Sequence, residues 1–236
     1  MGRFALDVVV CVAIVLVVTT GLPQLLAWLG VSTAAPSLLT IVAIIATQNA
    51  AILGYVCWRM QHHDNRTTHI GWRSRTSWVG ACFWAVPAVF GANLVVAGGF
   101  ALFGVRHNQA ASYPLSAGDT IGQLVFAVVA VVVAPLCEEI LFRGYLLGRL
   151  RDMVPTWAAV IVSAMLFATA HSFAAQNGAI VLIVGTFAMG VVLGWARVAS
   201  RSLWPAVVAH MVNNGVAITA VIYCINHPGR GCALSP

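Results

Sequence analysis

The stretch that decides the fold runs from Ile121 to Leu147, IGQLVFAVVAVVVAPLCEEILFRGYLL, where apolar residues continue almost unbroken on both sides of Glu138-Glu139. As a helix rising 1.5 Å per residue it would reach roughly 40 Å, more than the ~30 Å hydrocarbon core of a bilayer. Nothing in it alternates polar with apolar as a barrel strand does. Yet it carries the only two glutamates of the chain, side by side.

The rest of the chain has the same character. Of 236 residues, 61% are hydrophobic and 8% charged, where a soluble domain carries about a quarter; mean hydropathy is +0.93. A soluble fold is excluded. Further apolar runs lie at Phe4–Trp28, Ser37–Trp58, Ser77–Val105, Thr156–Phe173, Ala179–Ala199 and Trp204–Ile225. With Thr120–Leu147 they predict an all-α polytopic membrane protein of about seven transmembrane helices, its site inside the bundle. Pro87 and Gly98-Gly99 mark where the third run would break or re-enter.

All 12 basic residues are arginines. With the N-terminus inside, Arg3, Arg59, Arg66, Arg73, Arg75, Arg143, Arg149, Arg151, Arg197 and Arg201 fall on the cytoplasmic side, and only Arg106 and Arg230 outside. Basic residues in short loops stay cytoplasmic, so the expected orientation is N-in, C-out, in the cell membrane as a multi-pass protein. The net charge of +6 then reads as topology and attraction to anionic lipid, not as nucleic-acid binding. Three parts are expected within a single integral domain: N-terminal helices and a basic loop over 1–119, a catalytic core over 120–225, and a short tail over 226–236. The first apolar run shows no clear small-residue cleavage site and reads as a retained helix. Five of six cysteines lie within the runs and no CxxC occurs, which argues against a disulfide framework or zinc ribbon. Cys232-Ala-Leu-Ser-Pro is one residue too long for a prenylation box. His62, His63 and His69 read as part of a solvated loop.

An ionisable side chain at bilayer depth costs about 2.5–3.5 kcal/mol even on lenient scales, so each needs a partner or a task. Asp7 is expected to pair with Arg3 at the interface, and Gln48, Asn49 and Asn93 to bond between helices. There remain Glu138, Glu139 and Arg143, then His171, then His210 with Asn213 and Asn214. Glu139 and Arg143 stand i, i+4 and can neutralise each other, leaving Glu138 about 100° around the helix without that cation. Two neighbouring carboxylates in low dielectric do not both ionise freely, so their proton affinities separate as a general base requires. Pro135 removes a backbone donor beside them. If the fourth and fifth helices turn near Val154-Pro155, Glu138 and His171 lie at one level, about 25 Å from the turn. His210 and Asn214 share a face, as do Phe167 and His171.

A carboxylate, a histidine to share its proton, and a His–Asn pair to donate to an oxyanion suit attack of activated water on an amide. Each piece alone has a structural explanation, an ion pair or an interhelical hydrogen bond; their convergence on three helices favours chemistry. Gly190-x-x-x-Gly194, with Gly185, reads as close helix packing that brings the fifth and seventh helices together. HExxH is absent, Gly118-Asp119 falls short of an aspartyl-protease motif, and a Cys137–His171 dyad would use a poorly reactive thiol. By residue type alone, a metal on Glu138, His171 and His210 remains open. So do a non-catalytic immunity or scaffold protein and a proton-coupled transporter using Glu138 and Glu139.

Glu138-Glu139-x-x-x-Arg143-Gly144, Phe167-x-x-x-His171 and His210-x-x-x-Asn214, in that order over roughly 120–216, resemble the motif set of the CAAX protease and bacteriocin-processing (CPBP) family of intramembrane glutamic endopeptidases, which includes the type II CAAX prenyl endopeptidases. The resemblance implies a glutamate-dependent peptidase needing no metal or other cofactor. Glu138 would activate water with His171, His210 and Asn214 would hold the oxyanion, Glu139 and Arg143 would support the site, and Phe167 would pack beneath His171. The implied partners are membrane lipid and a membrane-associated, prenylated or otherwise lipidated peptide; the substrate-binding residues are not implied. Some members have an eighth span, one more than the seven counted here.

Overall fold

The computed structural model describes residues 2–30, 38–62, 70–72, 78–104, 115–172 and 179–227. Among these residues there are seven helices and no strand: α1 Gly2–Trp28, α2 Leu38–His62, α3 Trp78–Leu102, α4 Thr120–Arg151, α5 Thr156–Ser172, α6 Ala179–Ser200 and α7 Trp204–Asn226. The chain is an all-α polytopic membrane protein. Six of the helices are long and apolar enough to span a bilayer; α5 is the short one, at 17 residues about 25 Å. The readings made on His63, His69, the arginines at 66, 73, 75, 106 and 230, and the tail from 228 lie outside the described residues, as does the Arg3 side chain.

Local chemistry accounts for the boundaries. Asp119, the weak aspartyl candidate, is the N-cap of α4, accepting from the Gly122 amide at 2.9 Å, where an acceptor satisfies an otherwise orphaned donor. The α4–α5 turn closes through Met153 and Val154 amides on the Leu150 carbonyl, both at 2.9 Å, and Pro155 leads into α5 as the hairpin reading expects. Pro205 opens α7 at its first turn, where its missing N–H costs nothing. The third run holds together as one span: α3 passes through Pro87, Gly98 and Gly99 as one helix, since packed neighbours let a membrane helix carry proline.

The helices turn apolar residues outward, with Val17, Leu94, Val95 and Ile121 each more than two thirds exposed. Where helices meet, the residues are small: Ala85, Ala164, Ala196, Ala206 and Ala209 are fully buried, and small side chains let backbones approach in lipid, where apolar burial gives little drive. A Cβ on Gly190 would lie 3.0 Å from Ala164 Cβ, and one on Gly194 2.9 Å from Val160. The GxxxG face thus seats α6 on α5, while α3 packs against both α6 and α7.

Two findings go beyond these expectations. First, Asp7 belongs to a network reaching across the fold: its buried carboxylate accepts from Arg59 Nε at 2.6 Å, Tyr55 Oη at 2.7 Å and Tyr145 Oη at 2.8 Å. The expected Arg3 partner lies outside the described side chains; α2 and α4 supply the several donors that a carboxylate taken from water needs. Asp7→Ala should lower stability in micelles by about 2 kcal/mol, the scale of a buried charge-assisted hydrogen-bond set; Arg59, at a helix end, can reach water and limit the loss. An SDS unfolding titration measures this, and an unchanged midpoint would deny the network any weight. Second, Cys224 is disulfide-bonded, whereas Cys11, Cys57, Cys82 and Cys137 are free. Absence of CxxC argues against redox and zinc motifs, not against a single bridge.

Candidate active site

The site is built around irregularities of α4. Two π-helical segments, Val129–Val133 and Ile140–Leu146, flank the α-helical Ala134–Glu139; such bulges re-aim side chains and recur at functional sites. In π register the Ala134 amide reaches back five residues to the Val129 carbonyl. Pro135 would next serve the Ala130 carbonyl but has no N–H to give. Asn214 of α7 fills that vacancy, donating from Nδ2 to the Ala130 oxygen at 3.0 Å. The carbonyl facing the donor that Pro135 lacks is thus satisfied by a side chain from another helix.

Behind this lies a closed ionic layer. Glu139 and Arg143 both have side chains 0% exposed, with Nη1 to Oε1 at 2.8 Å. Arg143 Nη2 donates to the Gly190 carbonyl at 3.2 Å, which is why α6 must approach so closely there. Its guanidinium also sits 4.2 Å from the Phe167 ring centroid, within cation–π range. Phe167 is fully buried and meets His171 at 4.6 Å, His210 at 5.6 Å and Phe142 at 5.1 Å between centroids, each edge-on. One aromatic ring thus fixes both imidazoles.

In front lie Glu138 and the outer faces of the two histidines. His210 Nδ1 is 2.9 Å from Glu139 Oε1 and His171 Nδ1 is 2.9 Å from the Phe167 carbonyl. Carboxylate and carbonyl oxygens only accept, so both Nδ1 atoms carry hydrogen and both Nε2 atoms present a lone pair when the rings are neutral. These Nε2 atoms face the same oxygen: Glu138 Oε2 is 3.9 Å from His171 and 3.7 Å from His210. The gaps are too long for direct hydrogen bonds, and three proton acceptors around one space call for a donor between them. The side chains of Glu138 and His171 are 24% and 29% exposed, so that space is open to what approaches.

Every candidate named from sequence is found here. Glu138, Glu139, Arg143, Phe167, His171 and His210 form one connected cluster, and Asn214 joins through the α4 backbone. Asn93 Nδ2 donates to Asn213 Oδ1 at 2.7 Å and Asn213 Nδ2 to Asn214 Oδ1 at 3.3 Å, so the expected interhelical amide bond orients Asn214 from α3. Asn49, by contrast, bonds the Ile45 carbonyl of its own helix. Sequence reasoning missed the direct Glu139–His210 contact, the Ala130 carbonyl and the Phe142 ring; the first could not come from spacing, because it joins residues 71 positions apart. Among the described residues no three His, Cys, Asp or Glu side chains are grouped to hold a metal ion.

Residues 120–216 match the family model described as Type II CAAX prenyl endopeptidase Rce1-like. The match covers the same segment as the motif resemblance and supports that resemblance. The chain is also 31% identical over 136 residues to an uncharacterized 24.3 kDa protein of Escherichia coli, covering 53% of this chain and 59% of that protein. No solved structure matches the chain.

Proposed function

We propose that this chain is a membrane endopeptidase that hydrolyses a peptide bond of a membrane-associated or lipidated protein or peptide, using water activated by Glu138 and His171. The observation that carries the reading is the convergence of two imidazole Nε2 atoms on one oxygen of a half-open carboxylate, at 3.7 and 3.9 Å. Water placed there gives one proton to Glu138, with His171 Nε2 accepting its second hydrogen bond, and its oxygen bonds to the scissile carbonyl carbon. The carbonyl π pair moves onto oxygen. As that oxyanion collapses, the C–N bond breaks and Glu138 returns its proton to the leaving nitrogen, so one peptide and one water become an acid and an amine.

His210 and Asn214 are the proposed oxyanion donors. For His210 this sets a condition: with Nδ1–H committed to Glu139, it donates from Nε2 only as the imidazolium. Asn214 spends one amide hydrogen on Ala130 and offers the other. The proposed setting is the cell membrane, N-in, with the site below the cytoplasmic face; the Cys224 disulfide, near the opposite end of α7, suits an oxidising outer side.

The test is a purified, liposome-reconstituted chain presented with tagged membrane peptides, with and without a prenyl group, products being read by mass spectrometry. Cleavage unaffected by a chelator is expected; loss of cleavage in chelator, restored by zinc, would replace the Glu–His mechanism with a metal-bound one. Proton flux without cleavage would make the chain a carrier. A cellular phenotype that survives both Glu138→Gln and His171→Ala would make it a scaffold or immunity factor.

A further inference from the structure

One cavity of about 440 Å³ lies away from the Glu138 cleft, between the end of α4, the start of α5 and the end of α6. Its lining includes four arginines, Arg143, Arg151, Arg197 and Arg201, with Asp152 as the one acidic side chain. Arg143 is paired with Glu139, and the lining as a whole carries more arginines than acidic side chains. Arg143 and Arg197 are buried at its floor, and Arg151, Asp152 and Arg201 are exposed at its mouth. A space lined in this way suits a phosphate, whose oxygens match the planar donor fork of a guanidinium.

One unpartnered donor points the same way, and the turn beside it is held fixed. Arg143, 1% exposed, spends Nη1 and Nη2 on Glu139 and Gly190, while its Nε has no hydrogen-bond partner; a buried guanidinium donor left unpaired is costly. Arg201 is the only non-glycine among the described residues with positive φ, at 53°, a strained conformation that an arginine holds only where its surroundings over-determine it. The α6–α7 turn does so: Ser200 Oγ accepts from the Ser202 amide, and the Leu203 amide bonds the Gly71 carbonyl at 2.9 Å.

We propose that this cavity is a binding site for the phosphate group of an anionic membrane lipid. Two features favour a lipid over a free ion. The space would hold about fifteen waters at ~30 Å³ each, far more than a phosphate fills, leaving room for the group that carries it. Trp157, beside the lining residue Thr156, and Trp195, two residues before Arg197, are 64% and 42% exposed. Exposed tryptophans at helix ends mark headgroup level, and basic pockets between membrane helices on the cytoplasmic side suit phosphorylated headgroups.

The test uses the delipidated full chain in neutral detergent, titrated with phosphatidylglycerol, phosphatidylcholine or inorganic phosphate, with binding read by native mass spectrometry and thermal midpoint. Phosphatidylglycerol should bind at least tenfold tighter than phosphatidylcholine, and R151Q/R201Q should remove that preference while binding phosphatidylcholine unchanged. Equal binding of the two lipids, or an undiminished preference in the double variant, would overturn the proposal. Stabilisation by inorganic phosphate as strong as by phosphatidylglycerol would make this a free-anion site and overturn the lipid source. Should the double variant not fold, the ranking of the three probes on the natural chain decides alone. The readout is binding, so its failure is separate from any failure of the peptidase reading.

Discussion

Glu138→Gln should cut kcat for peptide cleavage by about 10³-fold while leaving KM within a few-fold and the fold intact. Glutamine keeps the size and one acceptor of the side chain but cannot take a proton from water, and a positioned general base is worth about 10²–10⁴ in rate. The middle of that range rather than its floor is expected because the same carboxylate must return the proton to the leaving nitrogen. A loss of 10³ corresponds to about 4 kcal/mol of transition-state stabilisation, and a fall confined to kcat identifies it as such. The side chain is 24% exposed and forms no direct hydrogen bond in the cluster, so the thermal midpoint should hold. Cleavage by the variant at the natural rate would end the assignment of Glu138 as the base.

Arg143→Met should be the most destabilising single change in the molecule. Among the described residues Arg143 is the one arginine paired with Glu139, and both partners of the ion pair are sealed from solvent. Removing one member of a buried pair costs about 3–5 kcal/mol, because the remaining charge must be neutralised or hydrated in place. Domain stabilities run about 5–15 kcal/mol, so the variant should unfold at much lower SDS fraction. Arg143→Met with Glu139→Gln should recover at least half of the loss, since neutral side chains leave no charge stranded. A single variant as stable as the natural chain would show that the pair supplies only orientation to His210.

Much of this architecture could be read from pattern, and the reasons are physical. Helical spacing is a local property, so Glu139 with Arg143, Phe167 with His171 and His210 with Asn214 were legible as pairs sharing a face. The hairpin count put Glu138 level with His171, and they are 3.9 Å apart. What spacing cannot supply is azimuth between helices. It left the Glu139–His210 contact unread, because that depends on how α7 rotates against α4, and it gave no sign of the bond between Asp7 and Arg59. The π segments were also hidden. Pro135 signalled a backbone irregularity, but neither the register slip at Val129–Val133 nor the use of Asn214 as its remedy follows from a proline alone.

The Asp7 network carries a consequence for the order in which the protein is made. Its three donors lie 48, 52 and 138 residues downstream. At about 5–20 residues per second of synthesis, the carboxylate waits seconds for α2 and up to roughly half a minute for Tyr145. Throughout that interval the first helix must keep its acid within reach of water at the inner surface, and it can be drawn fully into place only after the segment bearing the glutamates has been inserted. The last bond of the network is therefore a timer: α1 locks only when α4, with its two glutamates, is already in the membrane.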